Sequence, residues 1–94
     1  MILTQLEAKV SPAEWERLNA AFDRGLEQLP SAIEYSYLVQ DRADGEVWRV
    51  ITIWKSWEAL QGYRQSVETP EGILMFREAG AEPALSIFEV VGHS

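Results

Sequence analysis

Alternation of apolar and polar positions opens the chain. From Ile2 to Val10, the residues Ile2, Thr4, Leu6, Ala8 and Val10 share one face and Leu3, Gln5, Glu7 and Lys9 the other, the two-residue period of a strand with one core face. The period then lengthens. Trp15, Leu18, Phe22, Leu26 and Leu29 recur at helical spacing, with Glu14, Glu16, Arg17, Asp23, Arg24 and Glu27 mostly on the opposite side. Ser11-Pro12-Ala13-Glu14 supplies a start signal: a serine N-cap, proline at the first helical position and a glutamate spaced for a capping box. Pro30 supplies the stop. Ile33 to Asp41 reads as a second strand with Ile33, Tyr35, Tyr37 and Val39 on one side, and Asp44-Gly45 turns it into a hairpin with the next.

That next strand, Val47 to Lys55, is largely apolar on both faces. Val47, Ile51 and Ile53 point one way, interrupted by Arg49; Trp48, Val50 and Trp54 point the other, with Thr52 between them. An antiparallel strand with one wet face does not read like this. Helices are expected over one face and a second copy of the chain over the other, with Trp48, Trp54 and Arg49 assigned to the contact between copies. Ser56 then caps a helix through Trp57, Leu60, Tyr63 and Val67. Thr69-Pro70-Glu71 opens a short helical turn carrying Ile73, Leu74 and Phe76, and Gly80 ends it. Ala84 to Val91 is the last strand. The order β-α-β-β-α-β predicts an α+β, ferredoxin-like split βαβ fold: a four-stranded antiparallel sheet with its helices on one face, in a single domain over residues 1–94.

Composition narrows the function classes. At 94 residues and 47% hydrophobic content, the chain is a small globular domain for which oligomerisation is a natural way to bury more surface. It has no cysteine, which excludes disulfides, thiolate metal sites and a cysteine nucleophile. A net charge of −7, from 15 acidic and 8 basic residues, disfavours nucleic acid and anionic membranes as partners. With no leader-like segment and no apolar run near ~18 residues, a cytoplasmic protein is the default expectation.

Trp54-Lys55-Ser56-Trp57-Glu58-Ala59-Leu60 at the strand-to-helix junction, followed by Thr69-Pro70 before the turn bearing Phe76, resembles the antibiotic biosynthesis monooxygenase family. The resemblance spans essentially the whole chain. It implies a dimeric α/β barrel, a homodimer whose two sheets stack face to face, with a pocket in each protomer between helices and sheet. It also implies a monooxygenase-like activity on a small aromatic or quinol-type substrate, using molecular oxygen without metal, flavin or other cofactor. In such chemistry the substrate supplies the electrons, and the protein binds the ring, helps deprotonate a phenol and stabilises the anion. The chain departs from the family in two places. Many members carry a second-helix histidine near the position of Tyr63, whereas the only histidine here is His93, in the tail. Haem-degrading relatives need such a histidine and a first-strand asparagine; this chain offers Tyr63, Thr4 and Gln5, which speaks against haem degradation.

The candidate site follows from these residues. Tyr63 and Arg64 are the candidate catalytic pair, with Trp57, Phe76, Tyr35 and Tyr37 as substrate-pocket residues. Each also has a plainer reading: Trp57 as an indole packed over the sheet, the tyrosines as satisfied core groups, Arg64 as a solvated helix residue. Tyrosine ordinarily titrates near ~10, so Tyr63 suits hydrogen bonding better than general-base work. Arg49 is expected to pair with a carboxylate such as Glu7 or Glu34. No metal-ligand constellation, serine-histidine arrangement or phosphate loop is present. The absence of an evident general base keeps a second function class open, a non-catalytic homodimeric barrel that binds a small apolar ligand or serves as an assembly module.

Overall fold

The computed structural model describes residues 1–94 and contains four strands and three helices: β1 (Ile2–Lys9), α1 (Trp15–Leu26), β2 (Ile33–Gln40), β3 (Val47–Trp54), α2 (Trp57–Ser66), α3 (Glu71–Glu78) and β4 (Ala84–Glu89). The sheet is antiparallel with strand order β2-β3-β1-β4, so the first and third strands are central. This is the ferredoxin-like topology that the sequence predicts. No helix is long and apolar enough to cross a membrane.

The helices cover one face. Ile2, Thr4, Leu6 and Ala8 of β1 and Trp48, Val50, Thr52 and Trp54 of β3 are all buried beneath them. Trp48 and Trp54 are therefore internal to the protomer, and their assignment to a contact between copies is corrected. The register explains it. Trp48 pairs with Ala8 and Trp54 with Ile2, and partners across a ladder share a face, so both indoles take the side of β1's core residues. Trp48 meets Trp15 edge to face at 5.7 Å, and Trp15 donates its Nε1 hydrogen to the Val10 carbonyl at 2.9 Å, tying the entry of α1 to the end of β1.

Two local expectations change. Ser11 makes no side-chain cap; Pro12–Glu14 forms a 3-10 turn closed by the Glu14 amide on the Ser11 carbonyl, and α1 begins at Trp15. In β2 a bulge between Ile33 and Tyr35 moves the chain from one face to the other. Ile33 consequently faces the helices, while Tyr35 and Tyr37 stack together on the uncovered face, 59% and 51% exposed. That placement removes both tyrosines from the pocket wall.

The core divides into two parts. The larger joins Leu6, Ala8, Val10, Trp48 and Val50 to Leu18, Phe22, Met75 and Phe76 of α1 and α3. The smaller consists of Ile2, Trp54 and Leu60, with Ile33 and Tyr63 packed against it. Between them along the central strands lie Thr4 and Thr52.

Candidate functional site

Above those two threonines the helices stand away from the sheet, enclosing a cavity of about 510 Å³. Its floor is the sheet, with Thr4, Thr52, Ser36, Val50 and Trp54. Its walls come from the end of α1 and the following turn to Pro30, from Leu60, Tyr63 and Arg64 of α2, and from the first turns of α3. Leu85 and Ile87 on β4, still 44% and 38% exposed, line it where the helices do not reach the edge strand.

Local sequence builds each wall. Helix α1 stops at Leu26, ahead of Pro30, so the intervening turn bends over the chamber instead of continuing as helix. Helix α2 starts where Ser56 Oγ accepts the Ala59 amide at 3.0 Å. Gly72, in the first turn of α3, approaches β1 so closely that a Cβ there would sit 2.7 Å from Leu6 Cδ1. The glycine lets α3 descend to the floor beside the cavity.

Several of the polar lining groups are held in defined bonds. Ser36, Thr52 and Thr4 stand in register on three adjacent strands, a row of hydroxyls crossing the sheet. Ser36 Oγ and Thr52 Oγ1 share a 3.0 Å hydrogen bond, and Trp54 donates its Nε1 hydrogen to Thr4 Oγ1 at 2.8 Å. Tyr63 packs on Trp54 with ring centroids 5.3 Å apart, and its hydroxyl accepts the Glu71 amide at 3.0 Å. Arg64 lines the cavity with no ion pair, whereas Arg24 on the opposite wall is held by both oxygens of Glu78 at 2.7 Å. Glu27 and Glu71 are the acidic residues among the lining. No three carboxylate or imidazole side chains converge, so no donor set for a metal is assembled.

Of the residues singled out from sequence, Tyr63 and Arg64 do line this cavity. Phe76 does not: it is fully buried in the larger core cluster, because α3 turns it down between α1 and the sheet. Trp57 does not either; at the start of α2 it is 44% exposed and off the lining. Gln5 lies on the uncovered face, while Thr4 is in the chamber. Sequence reasoning missed the hydroxyl row and the two acidic lining residues. Its only available signal was a polar residue at a core-face position in each of two strands, Thr4 and Thr52, whose alignment depends on strand register.

Arg49 belongs to the uncovered face. It donates to Glu7 Oε1 at 2.6 Å and to Asp41 Oδ2 at 2.9 Å, so the pairing with Glu7 is as expected from the sequence and Asp41 takes the place open to Glu34. Asp41 Oδ1 also accepts the Ala43 and Asp44 amides. These bonds, the Asp44 amide foremost, then Arg49 and Ala43, hold the Asp41 carboxyl down at about 2.

Fold and chamber together define a class: a small α+β ferredoxin-like protein with an apolar cavity between helices and sheet, floored by hydroxyls. The sequence model of the antibiotic biosynthesis monooxygenase family matches residues 1–72, and the chain belongs to that family. The matched span runs from β1 into the first turn of α3 and so takes in most of the cavity wall.

Solved structures agree in fold. A protein of Deinococcus radiodurans described as a candidate antibiotic biosynthesis monooxygenase superposes with a TM-score of 0.74 at 9% identity, covering 100% of this chain and 95% of its own. SnoaB, a cofactor-independent oxygenase from Streptomyces nogalater, gives 0.68 at 16% identity, covering 98% and 94%. A mutant of MhuD with two manganese protoporphyrin IX bound per active site gives 0.75 at 20% identity, covering 100% and 98%. No curated protein matches the chain in sequence.

Proposed function

We propose that this protein is a monooxygenase-like enzyme that oxidises a small aromatic or quinol-type substrate with molecular oxygen and without a cofactor, working as a homodimer. The observation that carries the reading is the apolar cavity of about 510 Å³ with Tyr63 and an unpaired Arg64 on its wall. Such a chamber suits a planar ring, and a guanidinium without a carboxylate partner suits an anion. Family membership and the fold shared with SnoaB support the same chemistry.

Glu71, on the wall beside Tyr63, accepts the phenolic proton of the substrate. Arg64 and the Tyr63 O–H, whose oxygen already accepts the Glu71 amide, stabilise the phenolate as its electrons pass to oxygen. The overall change balances as a phenol plus O₂ giving a para-quinone plus water. One oxygen atom enters the ring as a carbonyl and the other leaves as water.

An oxygen electrode with a panel of quinols and polyphenols tests this. Oxygen uptake is expected, and Tyr63→Phe should lower kcat about tenfold, the worth of one hydrogen bond to a charged group. Full activity in that variant would remove Tyr63 from the chemistry. Ring binding with no oxygen uptake for any member of the panel would leave a ligand-binding protein instead.

A further inference from the structure

We infer that the hydroxyl row Thr4–Thr52–Ser36 is the recognition element of the cavity, and that it selects ligands carrying a hydrogen-bond acceptor oxygen, a ketone, quinone carbonyl or phenolate, laid against the sheet. The inference rests on the reading of the cavity as a substrate site and adds what that site recognises.

A count of hydrogens carries it. Three hydroxyls bring three donor hydrogens. One is spent in the bond between Ser36 and Thr52, whichever of the two donates. Thr4 has its oxygen occupied by the Trp54 N–H, and since the indole nitrogen is a donor only, the Thr4 hydrogen cannot go back to it. No backbone or side-chain acceptor takes the remaining two hydrogens. Thr4 and Thr52 are nonetheless 93% and 94% buried, from exposures of 7% and 6%. Buried donors without acceptors are costly, and cores normally leave very few. Here all three hydroxyls line the cavity, whose neighbouring residues on the sheet, Leu6, Val50, Leu85 and Ile87, are apolar.

The arrangement is also held in place. Trp54 fixes the rotamer of Thr4 from the side of the smaller core cluster, and the β2–β3–β1 register fixes the spacing along the row. Neighbouring strands stand ~4.8 Å apart, so the row spans roughly 10 Å across the floor, about the width of a fused two-ring system. An aromatic hydrocarbon would leave both hydrogens unsatisfied, whereas acceptor oxygens over Thr4 and over the Ser36–Thr52 pair satisfy them. The site therefore discriminates through groups left unpaired by the wrong ligand, the stronger of the two ways a pocket can select.

Equilibrium dialysis with naphthoquinone and with naphthalene tests the inference, since the two probes share a ring skeleton and differ in carbonyl oxygens. The chain has no cysteine to add to the quinone. Wild-type protein should bind naphthoquinone at least about tenfold more tightly than naphthalene, and the double variant Ser36→Ala/Thr52→Val, which takes away one of the two free hydrogens, should lose most of that preference, in part by binding naphthalene more tightly. Ser36→Ala alone still leaves two hydrogens, those of Thr4 and Thr52, and should keep the preference. Thr4→Val also strands the Trp54 N–H, so if it fails to fold the double variant still decides the question. A preference unchanged in the double variant, or no preference in the wild type, overturns the inference. Oxygen uptake measured on the same samples separates the two readings. A wild type that prefers naphthoquinone yet consumes no oxygen with quinols retains the recognition site and loses the enzyme. An active enzyme whose preference ignores the hydroxyls does the reverse.

Discussion

Single residues here work in small closed sets. Arg49 is the hub of one: it sits on an otherwise apolar strand face and is balanced by Glu7 on β1 and Asp41 at the end of the hairpin's first strand. Because both carboxylates bond to it, Arg49 is held above its ordinary range, chiefly by Asp41 and then Glu7. Asp41 additionally ties down the hairpin loop through the Ala43 and Asp44 amides. A carboxyl whose folded value is about 2 against an ordinary 3.8 stabilises the fold fully above about 4, and that contribution disappears as pH falls toward about 2. Denaturant midpoints measured from pH 5 to pH 2 should therefore fall more steeply for the wild type than for Asp41→Asn. Parallel pH profiles would show that the loop does not depend on this carboxylate. Tyr63 belongs to a second set, bridging the smaller core cluster and the first amide of α3, which is why its aromatic ring and its hydroxyl both have defined neighbours.

At the scale of elements, starts, stops and bulges decide which side chains reach the cavity. The short α2 depends on its cap: Ser56 is extended at φ −162° and ψ 168°, and its Oγ accepts the Ala59 amide. Ser56→Ala should cost about 1 kcal/mol in urea denaturation, and ligand affinity should weaken because Leu60, Tyr63 and Arg64 all hang from this helix. A stability loss below about 0.3 kcal/mol would mean that packing on Trp54 and Ile2, and not the cap, positions α2. Gly80 closes α3 with φ 76°, and its amide and that of Ala81 return to the Arg77 and Phe76 carbonyls, as its place in the sequence suggests. The bulge in β2 has no comparable signature. Glu34 reads as an ordinary alternating position, yet the bulge there sends Ile33 to the cavity and Tyr35 and Tyr37 to the far side.

For the whole molecule, the uncovered sheet face is the outstanding feature. Leu3, Ile51, Ile53, Tyr35, Tyr37 and Phe88 share it, with Phe88 still 49% exposed and the Arg49 ion pairs at one end. The proposed homodimer places a second copy over this face, with Arg49 retained at the contact. Wild-type protein at micromolar concentration should then sediment at twice 10.7 kDa, and Ile51→Glu should yield a folded monomer. A wild type of single mass would defeat the proposal. The two apolar sides of β3 announce two covering layers from sequence alone, but which tryptophans go to which layer does not follow from β3 by itself. Side-chain alternation fixes that Trp48 and Trp54 lie together; only pairing with β1 says that they lie with Leu6 and Ala8.

What the sequence determined by itself was therefore the inventory: element types and order, which residues share a face in β1 and β3, the caps at Ser56 and Gly80, and the class of fold, all of which arise from interactions within a few residues. The tertiary structure alone decided the assignment. Strand register aligned Thr4, Thr52 and Ser36 into one row, helix docking placed Phe76 in the core and Tyr63 at the wall, and the space left between two core clusters became the cavity. The physical reason is range. Periodicity and capping are local, whereas a cavity is a failure of distant surfaces to meet, and no short stretch of chain carries it.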